Sequence, residues 1–289
     1  MTDSAPFSFP GPPSGSDAAP APARTFDAAL EAWRAWQESP WGRLRYTLAE
    51  ANLLRHLHPA AGAPVRVLDL AGADGGDALR LARLGHHVTL VDYAPGMLAA
   101  ARERARQAGI AALLETVEAD VFRLPGSVTG RAYDVVLCHN LLQYQEDPAP
   151  ALRVAVPLVR PGGVLSVMAL NRHAMPLAHA VRDLDPAAAL ASLGQRHAHG
   201  DTFDTPLTLH TAEEIVPLMT ALGCTDIEHC GIRTVNDHIT DDARKHDPAF
   251  FADLEALELA LSARMPYPHT AKIFQLLARV GAPVAVTAR

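Results

Sequence analysis

Short apolar segments alternate with helix-like segments over most of the chain, and this alternation limits the fold more than any other feature. Residues 65–70 and 87–92 are strand-like, and each is followed by apolar residues at helical spacing. Further strand-like segments lie at 113–120, 133–138 and 162–170, and further helices are expected over 95–107 and from about Pro148. Strands that alternate with helices in this way predict a doubly wound α/β sheet that is mostly parallel.

The N-terminal part of the chain differs in composition from the alternating part. Residues 1–24 contain six prolines among Ser, Gly and Ala, a composition that predicts a disordered tail. From Thr25 onward, apolar residues at helical spacing predict two cap helices within 25–60, broken at Pro40. The domain is therefore expected to cover residues 25–289, with these helices as its cap.

The C-terminal part interrupts and then completes the alternation. Residues 171–210 are helix-prone and predict a helical lid insert. The pattern Thr-x-x-Glu at 211–214 has the form of a capping box and predicts the start of a helix. A strand near 226–233, a helix over 248–264 and a last strand over 271–278 bring the predicted sheet to seven strands.

Composition narrows the classes of partner. Apolar residues make up 49% of the 289 residues and charged residues 20%, which are ordinary globular values. Lys and Arg number 25 against 32 Asp and Glu, so the formal charge is −7 and no global positive field attracts nucleic acid or anionic lipid. A local basic patch on the surface is still compatible with this composition, although Lys245 and Lys272 are the only lysines.

The cysteine pattern and the hydropathy of the sequence indicate the cellular compartment that we expect for the protein. Cys138, Cys224 and Cys230 form no paired C-x-x-C motif, and an odd number argues against a disulfide framework. No window approaches the ~18 apolar residues of a membrane span, and no basic segment precedes an apolar one at the N-terminus. We expect a cytoplasmic protein that is soluble and makes no membrane contact. The oligomeric state is left open, with a homodimer as one option.

The strongest chemical signal is the small-residue turn at 69–76, Asp-Leu-Ala-Gly-Ala-Asp-Gly-Gly, between the first strand and its helix. Such a turn lets ligand atoms approach the backbone and the helix N-terminus, although a turn packed for structural reasons alone would look similar. Asp92 strengthens the ligand-binding interpretation, because an acid at the end of the second strand can accept hydrogen bonds from both ribose hydroxyls. Ala71, Ala73 and Gly75 recur at every second position, unlike the G-x-G-x-x-G of nicotinamide enzymes.

Together these motifs resemble those of class I S-adenosylmethionine-dependent methyltransferases, and the resemblance covers about 26–279. More narrowly, the chain resembles the tRNA carboxymethoxyuridine carboxyl-methyltransferase family and unassigned actinobacterial-type relatives. The closer match is carried by Gly42-Arg-Leu-Arg45, Val67-Leu-Asp-Leu-Ala-Gly72, Gly85-His-His-Val88, Cys138-His-Asn-Leu-Leu-Gln-Tyr144, Asp147-Pro148, Arg160-Pro-Gly-Gly-Val-Leu-Ser166, Gly231-Ile-Arg-Thr-Val-Asn-Asp237, Leu254-Glu-Ala-Leu-Glu258 and Pro266-Tyr267. The resemblance implies a Rossmann-like, seven-stranded sheet with an antiparallel last strand.

The resemblance also implies S-adenosylmethionine as cofactor, with S-adenosylhomocysteine as product. The cofactor-binding residues that we predict are Arg45, Asp69, Ala71, Gly72, Gly75, Asp92, Tyr93, Ala119, Asp120 and His139. Family members carry glycines where this chain has Ala71 and Ala73. Since a side chain makes positive φ harder to reach, we expect the methionine end of the cofactor to sit differently here.

Other residues are candidates for the reaction itself. His139 follows the fourth strand and is predicted to contact the cofactor, with general base as the alternative role. Arg233 offers a bidentate fork for a carboxylate, with a surface salt bridge as the alternative, and Asn236 and Asp237 follow it. Tyr144 joins His139 and Arg233 in the predicted catalytic set, and Tyr267 is a second rim candidate. We expect Trp33, Trp36 and Trp41 to pack rather than to stack on substrate, and the scattered histidines to be solvated, with no metal site.

Three functions are compatible with these residues. The favoured one is a methyltransferase that acts on a small-molecule carboxylate, hydroxyl or amine by in-line displacement. The second is the tRNA wobble-uridine carboxyl-methyltransferase, which the negative charge and the near absence of lysine disfavour. The third is a protein that binds S-adenosylmethionine but performs non-methyl displacement chemistry or acts as a non-catalytic subunit.

Overall fold

A computed structural model describes residues 25–26, 28–57, 63–200 and 202–281, so the tail predicted over 1–24 lies outside the described residues. The strands are β1 (Arg66–Leu70), β2 (His87–Asp92), β3 (Leu114–Glu118), β4 (Tyr133–His139), β5 (Val159–Leu170), β6 (His197–Gly200), β7 (Thr205–Thr208), β8 (Cys224–Ile232) and β9 (Ile273–Val280). The α-helices are α1 (Leu30–Glu38), α2 (Pro40–His56), α3 (Gly76–Arg83), α4 (Pro95–Gln107), α5 (Gly126–Thr129), α6 (Ala149–Ala155), α7 (Ala174–Val181), α8 (Pro186–Ala191), α9 (Ala212–Ala221) and α10 (Pro248–Leu261).

Seven strands form one sheet in the order β3-β2-β1-β4-β5-β9-β8. The pairs from β3 to β5 are parallel, whereas β9 runs antiparallel to both β5 and β8. The predicted fold class, a doubly wound sheet with an antiparallel last strand, is confirmed. The strand order reverses beside β1, where β2 lies on one side and β4 on the other. The carboxyl ends of β1, β2 and β4 therefore border one crevice, which is the usual ligand position in such sheets.

Helices cover both faces of the sheet. Leu53 of α2, Leu81 of α3 and Leu98 of α4 pack on one face against the β1, β2 and β4 side chains. On the other face, α6 and α9 bury Leu152 and Ile215 in a second cluster. Strands β1, β2 and β4 are therefore largely buried on both sides, which explains their mainly apolar sequences, whereas the edge strand β3 is partly exposed.

The predicted break between the cap helices is where the chain changes direction. Ser39 caps α2 by accepting a hydrogen bond from the Gly42 N–H at 3.1 Å, and Pro40 is the first helical residue, a position where its missing N–H costs nothing. A Cβ on Gly42 would lie 2.1 Å from the carbonyl oxygen of Trp36. The close approach of the two helices therefore depends on this glycine.

The insert differs from its prediction. Residues 174–191 form two short helices as expected, but β6 and β7 form an antiparallel hairpin where a helical lid was predicted. Thr and Leu at 205–208 favour a strand, and pairing with 197–200 buries Leu207, contacts that helix propensity alone does not reveal. The capping box is present as predicted, since Thr211 and Glu214 exchange side-chain and backbone hydrogen bonds at the start of α9.

Candidate functional site

The loop between β1 and α3 has an alternating backbone conformation. Ala71, Ala73 and Gly75 have φ values of 57°, 50° and 77°, so every second residue lies in the left-handed region. Both alanines therefore adopt the conformation that their side chains make harder to reach, and the different seat expected for the methionine end of the cofactor stays a prediction. Hydrogen bonds from Gly72 N–H to Val91 O and from Gly75 N–H to Gly72 O help to hold the turn, so surrounding contacts offset the steric cost of the two alanines.

Gly72 brings the loop backbone close to Asp69. A Cβ on Gly72 would lie 2.3 Å from Leu90 Cδ1 and 2.5 Å from Asp69 Oδ2. The Asp69 side chain is buried, and its Oδ2 has no hydrogen-bond partner among the described residues. Burial raises the pKa of the Asp69 carboxyl, and the neighbouring charge of Asp77 adds to this effect.

Asp92 joins the end of β2 to the loop. Its carboxylate accepts hydrogen bonds from the Ala73 N–H at 2.8 Å and the Ala94 N–H at 2.9 Å. The Ala119 N–H donates to the Asp92 carbonyl at 3.0 Å, so the segment after β3 lies directly beside it. Asp120 is exposed next to Ala119. Three of the predicted cofactor residues, Asp92, Ala119 and Asp120, thus lie together beside the loop.

A second part of the site is a buried hydrogen-bonded chain. Arg45 Nη1 on α2 donates to Asp77 Oδ1 at 2.6 Å, and His139 Nδ1 lies 2.9 Å from Asp77 Oδ2. On its other side, His139 Nε2 lies 2.8 Å from Ser166 Oγ, which accepts a hydrogen bond from Gln275 Nε2 at 3.0 Å. Because the Asp77 carboxylate can only accept, we assign the neutral tautomer of His139 with hydrogen on Nδ1, and Ser166 Oγ then donates to Nε2.

The protonation states follow from these contacts. Burial alone would raise the pKa of the Asp77 carboxyl, but Arg45 and His139 outweigh it and hold that pKa below its usual range. Burial lowers the pKa of His139, and Asp77 only partly opposes this. Both ring nitrogens of His139 are engaged within the protein, so action as a general base would require one of these hydrogen bonds to break. The geometry favours His139 as a support for Asp77.

Sequence reasoning did not predict Asp77, and it did not predict Asp74 or Asn140 either. An acid in the first turn of a helix is common because it complements the helix dipole, so its presence after Gly76 was not informative. Its partners Arg45 and His139 are 32 and 62 positions away, and only the fold brings them together.

The cap helix α1 is attached to the same loop. The buried carboxylate of Asp74 accepts hydrogen bonds from Trp33 Nε1 at 3.0 Å and Gln37 Nε2 at 2.8 Å, and it also pairs with Arg104. Trp33 stacks on Trp36 with ring centroids 4.9 Å apart. The expectation that these tryptophans pack is consistent with their contacts, but Trp33 also carries a specific polar anchor.

Aromatic rings close the crevice above the loop. Phe26 lies 6.0 Å from Tyr93, 5.6 Å from Tyr144 and 4.7 Å from Phe203 between ring centroids. Tyr93 follows Asp92, Tyr144 follows β4, and Phe203 lies in the turn of the β6–β7 hairpin. The N-terminal segment and the insert therefore meet over the predicted cofactor residues.

Arg233 lies further along the same edge, after β8. Its guanidinium donates from Nε to Asp237 Oδ2 at 2.8 Å and also pairs with Asp237 through Nη2. The fork that was predicted for a substrate carboxylate is thus occupied by Asp237, and the ion-pair interpretation describes the geometry. The following turn is held by Glu258, which accepts hydrogen bonds from the N–H groups of Thr234, Val235 and Asn236 at 2.7, 2.9 and 2.7 Å.

Three buried polar atoms around the crevice have no partner among the described residues. They are Arg45 Nε, Asp69 Oδ2 and Asn140 Oδ1. Asn140 follows β4 with a φ of 57°, and its N–H donates to the Met168 carbonyl at 2.7 Å. One donor and two acceptors are thus left without partners, an arrangement typical of a ligand site.

Elsewhere, the remaining candidates lie apart from this crevice. Tyr267 is 40% exposed in a short turn before β9, and Trp41 contacts His246. Within the described residues, no group of three or more His, Cys, Asp or Glu side chains has metal-binding geometry. No described helix has the length and apolar character needed to span a membrane.

The comparisons with known proteins agree with this architecture. The chain belongs to the methyltransferase domain family, which matches residues 62–214. It is similar to the tRNA 5-carboxymethoxyuridine methyltransferase of Escherichia coli (strain K12), with 30% identity over 46% of this chain and 51% of that protein. It is also similar to the ubiquinone biosynthesis O-methyltransferase of Xanthomonas euvesicatoria, with 33% identity over 47% of this chain and 55% of that protein.

The likeness to solved structures extends over more of the chain. A SAM-dependent methyltransferase from Thermotoga maritima superposes with a TM-score of 0.57 at 13% identity, covering 89% of this chain and 99% of that one. At this identity the likeness establishes a shared fold. The matches to the two curated relatives span about half the length of each.

Proposed function

We propose that this protein is an S-adenosylmethionine-dependent methyltransferase that acts on a small-molecule acceptor and yields S-adenosylhomocysteine. The observation that carries the proposal is the loop at 71–75, whose alternating left-handed residues and contact with Asp92 leave backbone and carboxylate groups facing one crevice. The names of the two curated relatives support the same chemistry.

The polar atoms without partners fit the cofactor's functional groups. Arg45 Nε is a donor and suits the cofactor's carboxylate, whereas Asp69 Oδ2 and Asn140 Oδ1 are acceptors and suit its ammonium group. Asp92 would accept hydrogen bonds from the ribose hydroxyls, and Tyr93, Ala119 and Asp120 would border the adenine. Bound in this way, the cofactor supplies an electrophilic methyl group on a sulfonium.

The protein's own contribution is to position groups and to exclude water. Methyl transfer in line with the S–C bond needs the acceptor atom roughly 3 Å from the methyl carbon, and no covalent enzyme intermediate. The segment carrying Phe26 and the hairpin turn carrying Phe203 would cover the crevice during transfer. An ionised carboxylate acceptor requires no base, which agrees with the engagement of both His139 nitrogens.

Charge favours a small molecule over tRNA. The net charge is −7, and the two lysines do not form the basic surface that a phosphate backbone requires. A cytoplasmic setting suits three cysteines that are all free and buried. For the oligomeric state, a homodimer is one option within this proposal.

Methyl-labelled S-adenosylmethionine tests the proposal. Calorimetry should first detect binding of S-adenosylmethionine and S-adenosylhomocysteine, and the labelled cofactor is then incubated with an extract of the source organism. Label in acid-soluble metabolites supports the proposal, and base-labile label identifies an ester. Label in ribonuclease-sensitive precipitate establishes the tRNA enzyme instead, and methylthioadenosine as product establishes non-methyl chemistry.

A further inference from the structure

Charged side chains gather where β8 ends and β9 begins. The cations are Arg182, Arg233 and Lys272, and the acids are Asp183, Asp237 and Asp242. Two of the cations are already paired, because Arg233 binds Asp237 and Arg182 binds Asp242 at 2.7 Å. Asp183 in turn lies 2.8 Å from His179 Nδ1.

Lys272 is the cation of this group without an ion-pair partner among the described residues. Among the described residues, no carboxylate lies within ion-pair distance of its Nζ, and its Nζ makes no hydrogen bond to them. The chain's other lysine, Lys245, is fully paired, with its Nζ bound to Asn236 O at 2.8 Å and Asp242 Oδ1 at 2.7 Å. Burial lowers the pKa of Lys272 more than the nearby carboxylates of Asp237 and Asp183 raise it, and neither carboxylate lies within ion-pair distance of its Nζ.

The backbone fixes Lys272 at the edge that carries the cofactor loop. Its N–H donates to the Arg233 carbonyl at 3.1 Å, and its carbonyl accepts from the Asn171 N–H at 3.0 Å. It therefore lies between the ends of β8 and β5, and β5 is paired with β4, which ends at His139. Neighbouring strands are about 5 Å apart, which places Lys272 roughly 10 Å across the sheet from the end of β4.

The turn beside Lys272 is rigidly held. Glu258 binds three successive backbone N–H groups of this turn, and Asp237 fixes the Arg233 guanidinium. Arg233 and Asp237 neutralise each other, and Asp242 pairs with both Arg182 and Lys245. With Lys245 and Lys272 included, four cations face three acids (Asp183, Asp237 and Asp242), so the cluster carries a net positive charge. Such a site selects anions.

We propose that Lys272 binds an anionic group, a carboxylate or phosphate, of the methyl acceptor. This inference rests on the proposed function, because it assigns the acceptor side of the same crevice. Arg233 and Asp237 form a neutral pair beside Lys272, so the guanidinium does not compete with its ammonium for the ligand anion. The sequence predicts Arg233 for this role, and the structure transfers it to Lys272.

Chemical protection tests anion binding without knowledge of the acceptor. The full chain is treated with a lysine-acylating reagent in the presence of acetate, inorganic phosphate or chloride, and modification is measured at each peptide by mass spectrometry. We expect acetate or phosphate to slow acylation of Lys272 at least fivefold relative to chloride. The N-terminal amine serves as internal reference and should react at an unchanged rate. Equal rates at Lys272 with all three anions would overturn the proposal.

A pair of variants connects this site to the reaction. In Lys272→Gln, the concentration of an anionic metabolite fraction that gives half-maximal methyl transfer should rise about tenfold, as expected for one charge-assisted hydrogen bond. Affinity for S-adenosylmethionine should stay within about twofold of the unmodified protein. Arg153→Gln removes an exposed charge of α6 that has no side-chain partner among the described residues, and should change neither quantity.

The outcomes separate the two proposals. The role of Lys272 is overturned if Lys272→Gln needs the same concentration of the anionic fraction for half-maximal transfer as the unmodified protein does. It is also overturned if the unmodified protein methylates a metabolite fraction depleted of anions equally well. Either result leaves the proposed methyltransferase activity intact. Failure of the unmodified protein to bind S-adenosylmethionine overturns the proposed function, and with it the assignment of Lys272 to an acceptor.

Discussion

At the scale of single residues, the Arg45–Asp77 pair connects the cap to α3, the helix that follows the predicted cofactor loop (71–75, hereafter the cofactor loop). Arg45 comes from α2 and Asp77 from α3, and both side chains are largely buried, with 3% and 12% of their surface exposed. A buried charge is tolerated only while its partner is present, because water no longer solvates it. The pair therefore makes the cap and the loop mutually dependent.

Removing the arginine charge should show this dependence. In Arg45→Met, His139 is the one side-chain partner left to Asp77 among the described residues, and we expect the free energy of unfolding to fall by about 3 kcal/mol. Urea denaturation at pH 7 measures the change. The double variant Arg45→Met/Asp77→Leu should recover part of the loss, since no uncompensated charge remains. A single variant as stable as the unmodified protein would contradict this account.

The close approach at Gly72 gives a second residue-scale prediction. An added methyl group would lie 2.3 Å from Leu90 Cδ1 and 2.5 Å from Asp69, so Gly72→Ala should destabilise the protein by about 1–3 kcal/mol. Binding of S-adenosylhomocysteine, measured by calorimetry, should weaken as the loop shifts. Gly126→Ala is the matched control, because nothing lies within 4 Å of its added Cβ. Equal effects of the two substitutions would refute the steric argument.

At the scale of elements, α1 has too little structure of its own to remain folded alone. It spans nine residues and has no side-chain N-cap, whereas isolated helices shorter than ~12 residues are marginal in water. Its polar attachment to the rest of the protein runs through Trp33 and Gln37, which both donate to Asp74. Gln37 also donates to Tyr46 Oη at 2.9 Å and accepts from Arg104 at 3.4 Å. The position of α1 is therefore coupled to the cofactor loop that contains Asp74.

Loss of this anchor should release α1. In Asp74→Ala we expect tryptophan emission to shift to the red, because Trp33 and Trp36 become more hydrated, and tryptic cleavage after Arg34 to accelerate about tenfold. Both are measured on the folded protein, with circular dichroism as the check that the sheet persists. Asp120→Ala alters an exposed carboxylate that makes no contact with α1 and should leave both measurements unchanged. An unshifted emission spectrum in Asp74→Ala would show that the contacts to Asp74 are not needed to hold the helix.

The elements also show what periodicity can predict. Helix α4 begins and ends at the predicted residues because Pro95 marks its first turn and its apolar positions recur at helical spacing. The β6–β7 hairpin was missed, because its strands are four residues each and gain their stability from mutual pairing. Short elements that depend on partners leave little periodic signal.

At the scale of the whole molecule, buried histidines link stability to pH. Burial lowers the pKa of His229 to about 4, and His269, with its ring 5.1 Å away, adds to the effect. His173 opposes its protonation as well, whereas Glu213 favours it. Burial also lowers the pKa of His86 and His139.

Stability should accordingly fall in mildly acid solution. Below pH 6.5 the unfolded chain binds a proton at position 229, whereas the folded protein does so only near pH 4, so the free energy of unfolding decreases as the pH falls between these values. Urea titrations from pH 8 to pH 5 measure this slope. His229→Leu should reduce the slope without abolishing it, since His86 and His139 act in the same direction. The exposed His199→Gln should preserve it, and an unchanged slope in His229→Leu would exclude the mechanism.

The sequence by itself determined the order of the seven sheet strands and the main helices between them, the small-residue loop at 69–76 and the acid that ends β2. These features depend on residues close together in the chain, through apolar periodicity, small side chains and helix-start signals, and such local preferences persist in any fold. The tertiary structure decided which polar groups remain free. Asp237 forms an ion pair with Arg233, and Asp77 binds both Arg45 and His139. Lys272 has no ion-pair partner among the described residues. The sequence does not reveal these pairings, because ion pairing depends on distances between strands and helices that are remote in sequence.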